Sequence, residues 1–135
     1  MNITQGAVAT TASQQPWRER DGKVVLLASR VAGRETLHFP PMPATSPLAA
    51  RSELVELIGT PSLYSYTVVH SSPKANKAPQ PLGQVDFPEG VRVFGRLDMP
   101  GGRRPVIGEP MRVCIEPNEA GPIYAFRPVH EEAQA

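Results

Sequence analysis

Along this chain apolar residues recur in short runs or at every second position. Residues 23–30 read K-V-V-L-L-A-S-R, bounded by Asp21-Gly22 and Gly33, which predicts a strand with turns at both ends. Residues 33–39 return as a second short strand. Pro40, Pro41, Pro43 and Pro47 then follow closely. Each fixes φ and lacks an amide donor, so this stretch predicts an irregular linker. Residues 49–57 carry a short helical pattern, but their β-branched neighbours favour a strand over 52–58. Gly59-Thr60-Pro61 breaks it before the strongest strand signal, L-Y-S-Y-T-V-V-H at 63–70. A period of two places Tyr64, Tyr66, Val68 and His70 on one face and Leu63, Ser65, Thr67 and Val69 on the other. Residues 71–80, S-S-P-K-A-N-K-A-P-Q, predict a mobile polar loop.

Residues 82–87 and 91–98 predict a hairpin around Pro88-Glu89-Gly90, whose glycine can take a positive φ. Residues 99–105 form a Pro/Gly/Arg loop, 111–116 alternate again, and 118–122 turn the chain into a last strand over 123–127. The spacing of a long amphipathic helix is missing. About five or six short strands over 52–128, with turns at regular intervals, predict a small closed barrel in place of an open sheet with bare edges. Residues 1–16 and 131–135 are polar and without period, which predicts disordered tails. Residues 1–16 have neither a positive charge nor a sustained apolar run, so they read as neither a signal peptide nor a membrane span, and the expected location is cytoplasmic.

Composition sharpens this. Sixteen Pro and eleven Gly in 135 residues exclude a helix bundle and favour an all-β fold rich in turns. Fourteen Lys plus Arg against thirteen Asp plus Glu leave a net charge of +1, so no global field draws the protein to nucleic acid and any anion site is local. The single cysteine, Cys114, excludes an internal disulfide and a four-thiolate zinc site.

Candidate chemistry is sparse. Cys114, flanked by Val113 and Ile115 with no neighbouring His, reads as a half-buried structural thiol over a nucleophile. His70 ends a strand at a loop mouth, where it serves either as an interfacial or capping group or as a general base. Asp86, Asp98 and Glu109 flank turns and read as solvated carboxylates. Arg92, Phe94 and Arg96 alternate on one strand face, opposite Val91, Val93, Gly95 and Leu97. Interleaved arginine and aromatic residues on a barrel strand can stack bases and hold phosphates, although a single Phe is equally an ordinary core residue. No G-x-S-x-G, P-loop or dinucleotide fingerprint is present, and the chain reads as a non-enzyme.

The segments F-P-P at 39–41, Y-S-Y-T-V-V-H at 64–70, D-F-P-E-G-V-R-V-F-G-R-L at 86–97, I-G-E-P-M-R-V at 107–113 and F-R-P at 126–128 occur in order. Together, over about residues 23–130, they closely resemble the acyl-CoA-associated OB-fold family catalogued as domain of unknown function 35. The resemblance implies an all-β chain: a five- to six-stranded OB barrel over 51–130, preceded over 17–50 by a rubredoxin-like zinc ribbon. In such proteins two Cys-x-x-Cys knuckles flank F-P-P. Here the corresponding positions are Val31 and Arg34, then about Ser46 and Ala49, so the ribbon is degenerate and the expectation is no zinc. The resemblance further implies a non-catalytic accessory subunit of a thiolase-like or other acyl-CoA enzyme. It would form a hetero-oligomer, with self-association left open, no membrane and no covalently bound cofactor. Acyl-CoA is the expected ligand, and a surface of His70, Lys74, Lys77, Arg92, Phe94 and Arg96 is expected to contact either the acyl-CoA or the partner enzyme. A single-stranded nucleic-acid-binding OB protein is the alternative; it is disfavoured by eight aromatics (one Trp, three Tyr, four Phe) and balanced charge.

Overall fold

A computed structural model describes residues 15–70 and 78–130. The chain divides into two units, Met1–Ile58 and Gly59–Ala135. Among the described residues, every regular element longer than a single 3-10 turn is a strand.

In the first unit, β2 (Lys23–Val31) is the centre of a four-stranded antiparallel sheet. β1 (Trp17–Arg20) pairs with its first half, β3 (Leu37–His38) with Ser29 and Arg30, and β4 (Ser52–Leu57) runs beside it from Leu26 to Val31. Val25 to Ser29 are all buried, so β2 is covered on both faces along this stretch as well as paired on both edges. Arg18 lies opposite Val25 and Glu56 opposite Leu27, so both rise from one face. There Arg18 and Arg20 reach Glu56 at 2.7 and 2.6 Å, and the Arg20 hydrogen bond leads in holding the Glu56 carboxyl below its ordinary range. Two sequence expectations are corrected here. The N-terminal segment is a four-stranded sheet and not a strand pair, and the strand over 52–58, expected to open the barrel, belongs to this sheet. The boundary between the units therefore falls after Ile58, not at 50/51. The cause is register: Leu54, Val55 and Leu57 pair with Ser29, Ala28 and Leu26, and the Gly59-Thr60-Pro61 break comes only afterwards.

The second unit contains β5 (Ser62–Val69), β6 (Gln80–Phe87), β7 (Val91–Leu97), β8 (Met111–Glu116) and β9 (Ile123–Pro128). Their order is β5-β6-β7-β9-β8; every neighbouring pair is antiparallel except β7 and β9, which are parallel. The ring closes where β5 meets the approach to β8. Ser62 bridges Pro110, the Leu63 N–H donates to the Glu109 carbonyl at 2.9 Å, and the Met111 N–H donates to that of Pro61 at 2.8 Å. This is the five-stranded OB barrel that the segment order implies. The β6–β7 turn places Gly90 at φ 100°, with its N–H on the Phe87 carbonyl at 2.9 Å.

Leu63, Val85, Phe87, Val93, Leu97, Met111, Ala125 and Phe126 are buried. Removing each large side chain from water contributes about 1.5–3 kcal/mol. Phe126 stands edge-to-face with Phe87 and Tyr124, ring centroids 6.3 and 5.8 Å apart. It fits because Gly95 has no side chain: a Cβ there would lie 2.9 Å from the ring. The faces of β5 differ from simple alternation. The register shifts between Leu63 and Ser65, leaving Tyr64 as the extra residue of a β-bulge. Leu63 points inward and Tyr64 outward, and beyond the bulge Tyr66 and Val68 line the barrel side, so Tyr64 and Tyr66 do not share a face. Among the described residues, no helix is long and apolar enough to cross a membrane.

The Gly95–Phe126 approach makes Gly95→Val an overpacking test. Its expected effect is a loss of about 1–3 kcal/mol of unfolding free energy in urea, with the β circular-dichroism spectrum retained.

Candidate functional site

The outward face of β7 carries Arg92, Phe94 and Arg96, the face the sequence places there. Phe94 is 55% exposed, so it is no core residue. Arg92 stands opposite Asp86 on β6 and grips it with two bonds, Nε–Oδ1 at 2.6 Å and Nη2–Oδ2 at 3.1 Å. Its guanidinium carbon lies 3.4 Å above the centre of the Tyr64 ring. The bulge in β5 turns Tyr64 outward to meet it. The Asp86 hydrogen bonds lead in raising the Arg92 pKa above its ordinary value, against partial desolvation. Arg96 donates to Gln80 at 2.7 Å and lies 3.5 Å from Glu116. Both arginines thus have carboxylate counter-charges before any ligand arrives.

His70 follows Val69, which pairs with Gln80, the partner of Arg96. It is exposed at that end of the barrel. Lys74 and Lys77 lie outside the described residues. The structure therefore brings Arg92, Phe94 and Arg96 onto one face and sets His70 at its edge.

Beside that edge a cavity of about 600 Å³ opens between Tyr66 and Val68 of β5, Pro79 to Pro81, Leu97 at the end of β7 and the loop from Asp98 to Pro105. Sequence reasoning did not find it. The loop is held by Arg103, whose guanidinium binds Glu109 at 2.6 and 3.3 Å and the His130 carbonyl at 2.9 Å. Glu109 also accepts the Val106 N–H at 2.7 Å. The carboxylates read as solvated are therefore engaged: Asp86 with Arg92, Asp98 with Arg127 at 3.0 Å, and Glu109 buried with Arg103.

Cys114 lies opposite Ala125, half-buried. Burial first, then the charges of Asp98 and Glu116, push its thiol up to about 11. In the first unit, the knuckle positions fall in two backbone turns. The Arg34 N–H donates to the Val31 carbonyl at 2.9 Å, and that of Ala49 to Ser46 at 3.0 Å. Val31 is a buried core residue. Among the described residues, no three His, Cys, Asp or Glu side chains cluster to hold a metal.

Comparison with known proteins gives likenesses of sequence and of structure. Residues 54–116 match the family model described as the ChsH2, C-terminal OB-fold domain. A DUF35 domain-containing scaffold protein of Methanocaldococcus jannaschii is 27% identical over 85 residues, 60% of this chain and 60% of that protein, so the match spans less than two thirds of the relative. Among solved structures, a chain of the Ltp2-ChsH2(DUF35) aldolase is 29% identical, with 78% of this chain and 86% of that chain covered and a TM-score of 0.62.

The raised thiol makes Cys114 a poor nucleophile. With its pKa at about 11, roughly one thiol in a thousand is thiolate at pH 8. Alkylation by iodoacetamide should therefore be far slower than for free cysteine at pH 8 and should accelerate tenfold per pH unit up to about 11. Mass spectrometry of timed samples checks this, and labelling as fast as free cysteine would contradict it.

Proposed function

Since the chain belongs to the DUF35 family of OB-fold proteins, we propose that it is a non-catalytic accessory subunit that docks on a thiolase-like or other acyl-CoA enzyme and helps hold or deliver the acyl-CoA. The observation that carries this reading is the likeness, at 29% identity over 86% of that chain, to a DUF35 chain of an aldolase. The local chemistry supports it. The one thiol is desolvated, and Asp86, Asp98 and Glu109 each neutralise an arginine. In this reading the partner enzyme supplies the reacting groups.

For the contact surface, the outward face of β7 is the proposal, with Phe94 as apolar anchor between the Arg92–Asp86 and Arg96–Glu116 pairs and with His70, Lys74 and Lys77 at its margin. Arginine and aromatic side chains carry a large share of binding energy where a partner excludes water from them. The pairing of both arginines also weakens the nucleic-acid alternative, because a cation already bound to a carboxylate releases few counterions on meeting a phosphate.

The test is co-expression with a thiolase-fold or other acyl-CoA enzyme encoded beside it, followed by gel filtration and steady-state kinetics. A stable complex is expected. Phe94→Ala, and separately Arg92→Ala with Arg96→Ala, should each weaken it by about 2 kcal/mol, near thirtyfold in Kd, with the fold intact. A complex indifferent to both variants would remove this face from the interface; no complex with any such enzyme would remove the subunit reading.

The first unit is proposed to hold no zinc. Val31, Arg34, Ser46 and Ala49 occupy the two turns, and a tetrahedral site needs thiolate or imidazole donors. Metal analysis after chelator dialysis should find zinc far below one equivalent, and the melting temperature should not respond to chelator. One retained equivalent would overturn this.

A further inference from the structure

The cavity at the end of the barrel has a charge imbalance. Of the ionisable groups on its wall, Asp98 faces Arg127, Glu116 faces Arg96, and Arg103 is bound to Glu109. Gln80 is also committed, its amide donating to the Pro81 and Leu97 carbonyls and accepting from Arg96. Arg104 stands apart: its exposed guanidinium lines the cavity with neither a hydrogen bond nor a counter-charge among the described residues. The half-buried Tyr66 hydroxyl, on the same wall, likewise has no partner among them.

The backbone that carries Arg104 is pinned on both sides. The Arg103 guanidinium donates to the Arg104 carbonyl at 2.9 Å while bound to Glu109 and the His130 carbonyl, and Pro105, next in the chain, is buried. The backbone of Arg104 is thus held at the rim of a pocket lined with apolar side chains: Val68, Pro81, Leu97 and Met99. An apolar pocket with a few unsatisfied polar groups is the usual form of a small-molecule site, and about 600 Å³ lies within the usual range.

We propose that this cavity binds a small amphipathic carboxylic acid, its aliphatic chain against Val68, Pro81, Leu97 and Met99 and its carboxylate on Arg104. A single unbalanced positive charge matches a monoanionic head, and the planar guanidinium fork fits a carboxylate with two parallel bonds. The Tyr66 hydroxyl is a second donor. This site goes beyond the accessory-subunit reading and does not rest on it: it needs no partner enzyme, so either can fail without the other.

The probe is octanoate, titrated into the full chain by calorimetry and by amide chemical-shift mapping, with 1-octanol as the uncharged control. Saturable octanoate binding is expected, with shifts at Tyr66, Val68, Leu97 and Met99. Arg104→Gln, at an exposed position, should fold normally and weaken octanoate about tenfold or more, and Tyr66→Phe should weaken it less. In both variants octanol should be unaffected, and in the native protein it should bind more weakly than octanoate. Equal affinity for octanoate and octanol, an unchanged affinity in Arg104→Gln, or no binding of octanoate would each overturn the proposal.

Discussion

Much of the second unit depends on one ion pair, Arg103–Glu109, at 2.6 Å with side-chain exposures of 15% and 6%. The Glu109 backbone accepts the Leu63 N–H that closes the barrel, while its side chain holds the Arg103 guanidinium and the Val106 N–H. Arg103 in turn ties the loop to the carbonyls of Arg104 and His130. A charge pair this far from water is costly to desolvate and contributes net stability only when further hydrogen bonds satisfy both ions. Removing one partner leaves an uncompensated charge, at a cost of about 3–5 kcal/mol. The loop that walls the cavity and the backbone of Arg104 are thus tied by this contact to a residue whose backbone closes the barrel.

The same economy of charge extends over the rest of the molecule. A net +1 over 135 residues tells little about the distribution of charge, because several of the arginines are held in pairs: Arg18 and Arg20 on Glu56, Arg92 on Asp86, Arg96 on Glu116, Arg127 on Asp98. Exposed pairs of this kind contribute little to stability, because solvent screens them. Their larger effect is on recognition. They convert a face that reads as cationic in the sequence into one that presents neutral pairs around an aromatic ring, which suits a protein surface better than a polyphosphate.

Much of the fold was legible because a strand with one buried face writes its period into the sequence. Val93, Gly95 and Leu97 against Arg92, Phe94 and Arg96 show it directly, and the Pro88-Glu89-Gly90 turn fixes the hairpin. Two features were not legible. The bulge at Tyr64 adds one residue to β5 without a Gly or Pro to announce it, so strict alternation misassigned Tyr64 relative to Tyr66. The membership of β4 was the other, since its pattern, S-E-L-V-E-L, suits either sheet and only the pairing with β2 decides. As for the site, the Arg92–Phe94–Arg96 face was visible, but the carboxylates that neutralise it were not. Asp86 meets Arg92 only through cross-strand register, and Arg103 meets Glu109 across an irregular loop that has no period to align them.

The first unit is held together by backbone hydrogen bonds and packing. The turns at Val31–Arg34 and Ser46–Ala49 close by their own N–H to carbonyl bonds, with Gly33 at φ 83° allowing the first to reverse. Beyond them, the Ala32 N–H reaches the Arg51 carbonyl at 2.6 Å, and the buried Ser29 hydroxyl accepts the Met42 N–H at 2.7 Å, joining the proline-rich segment to β2. Val31, 2% exposed, contributes apolar burial at a position where a thiolate would have to remain charged. A strand paired on both edges and buried from Val25 to Ser29 supplies the cohesion of this unit by packing. Such a unit is held by its sheet.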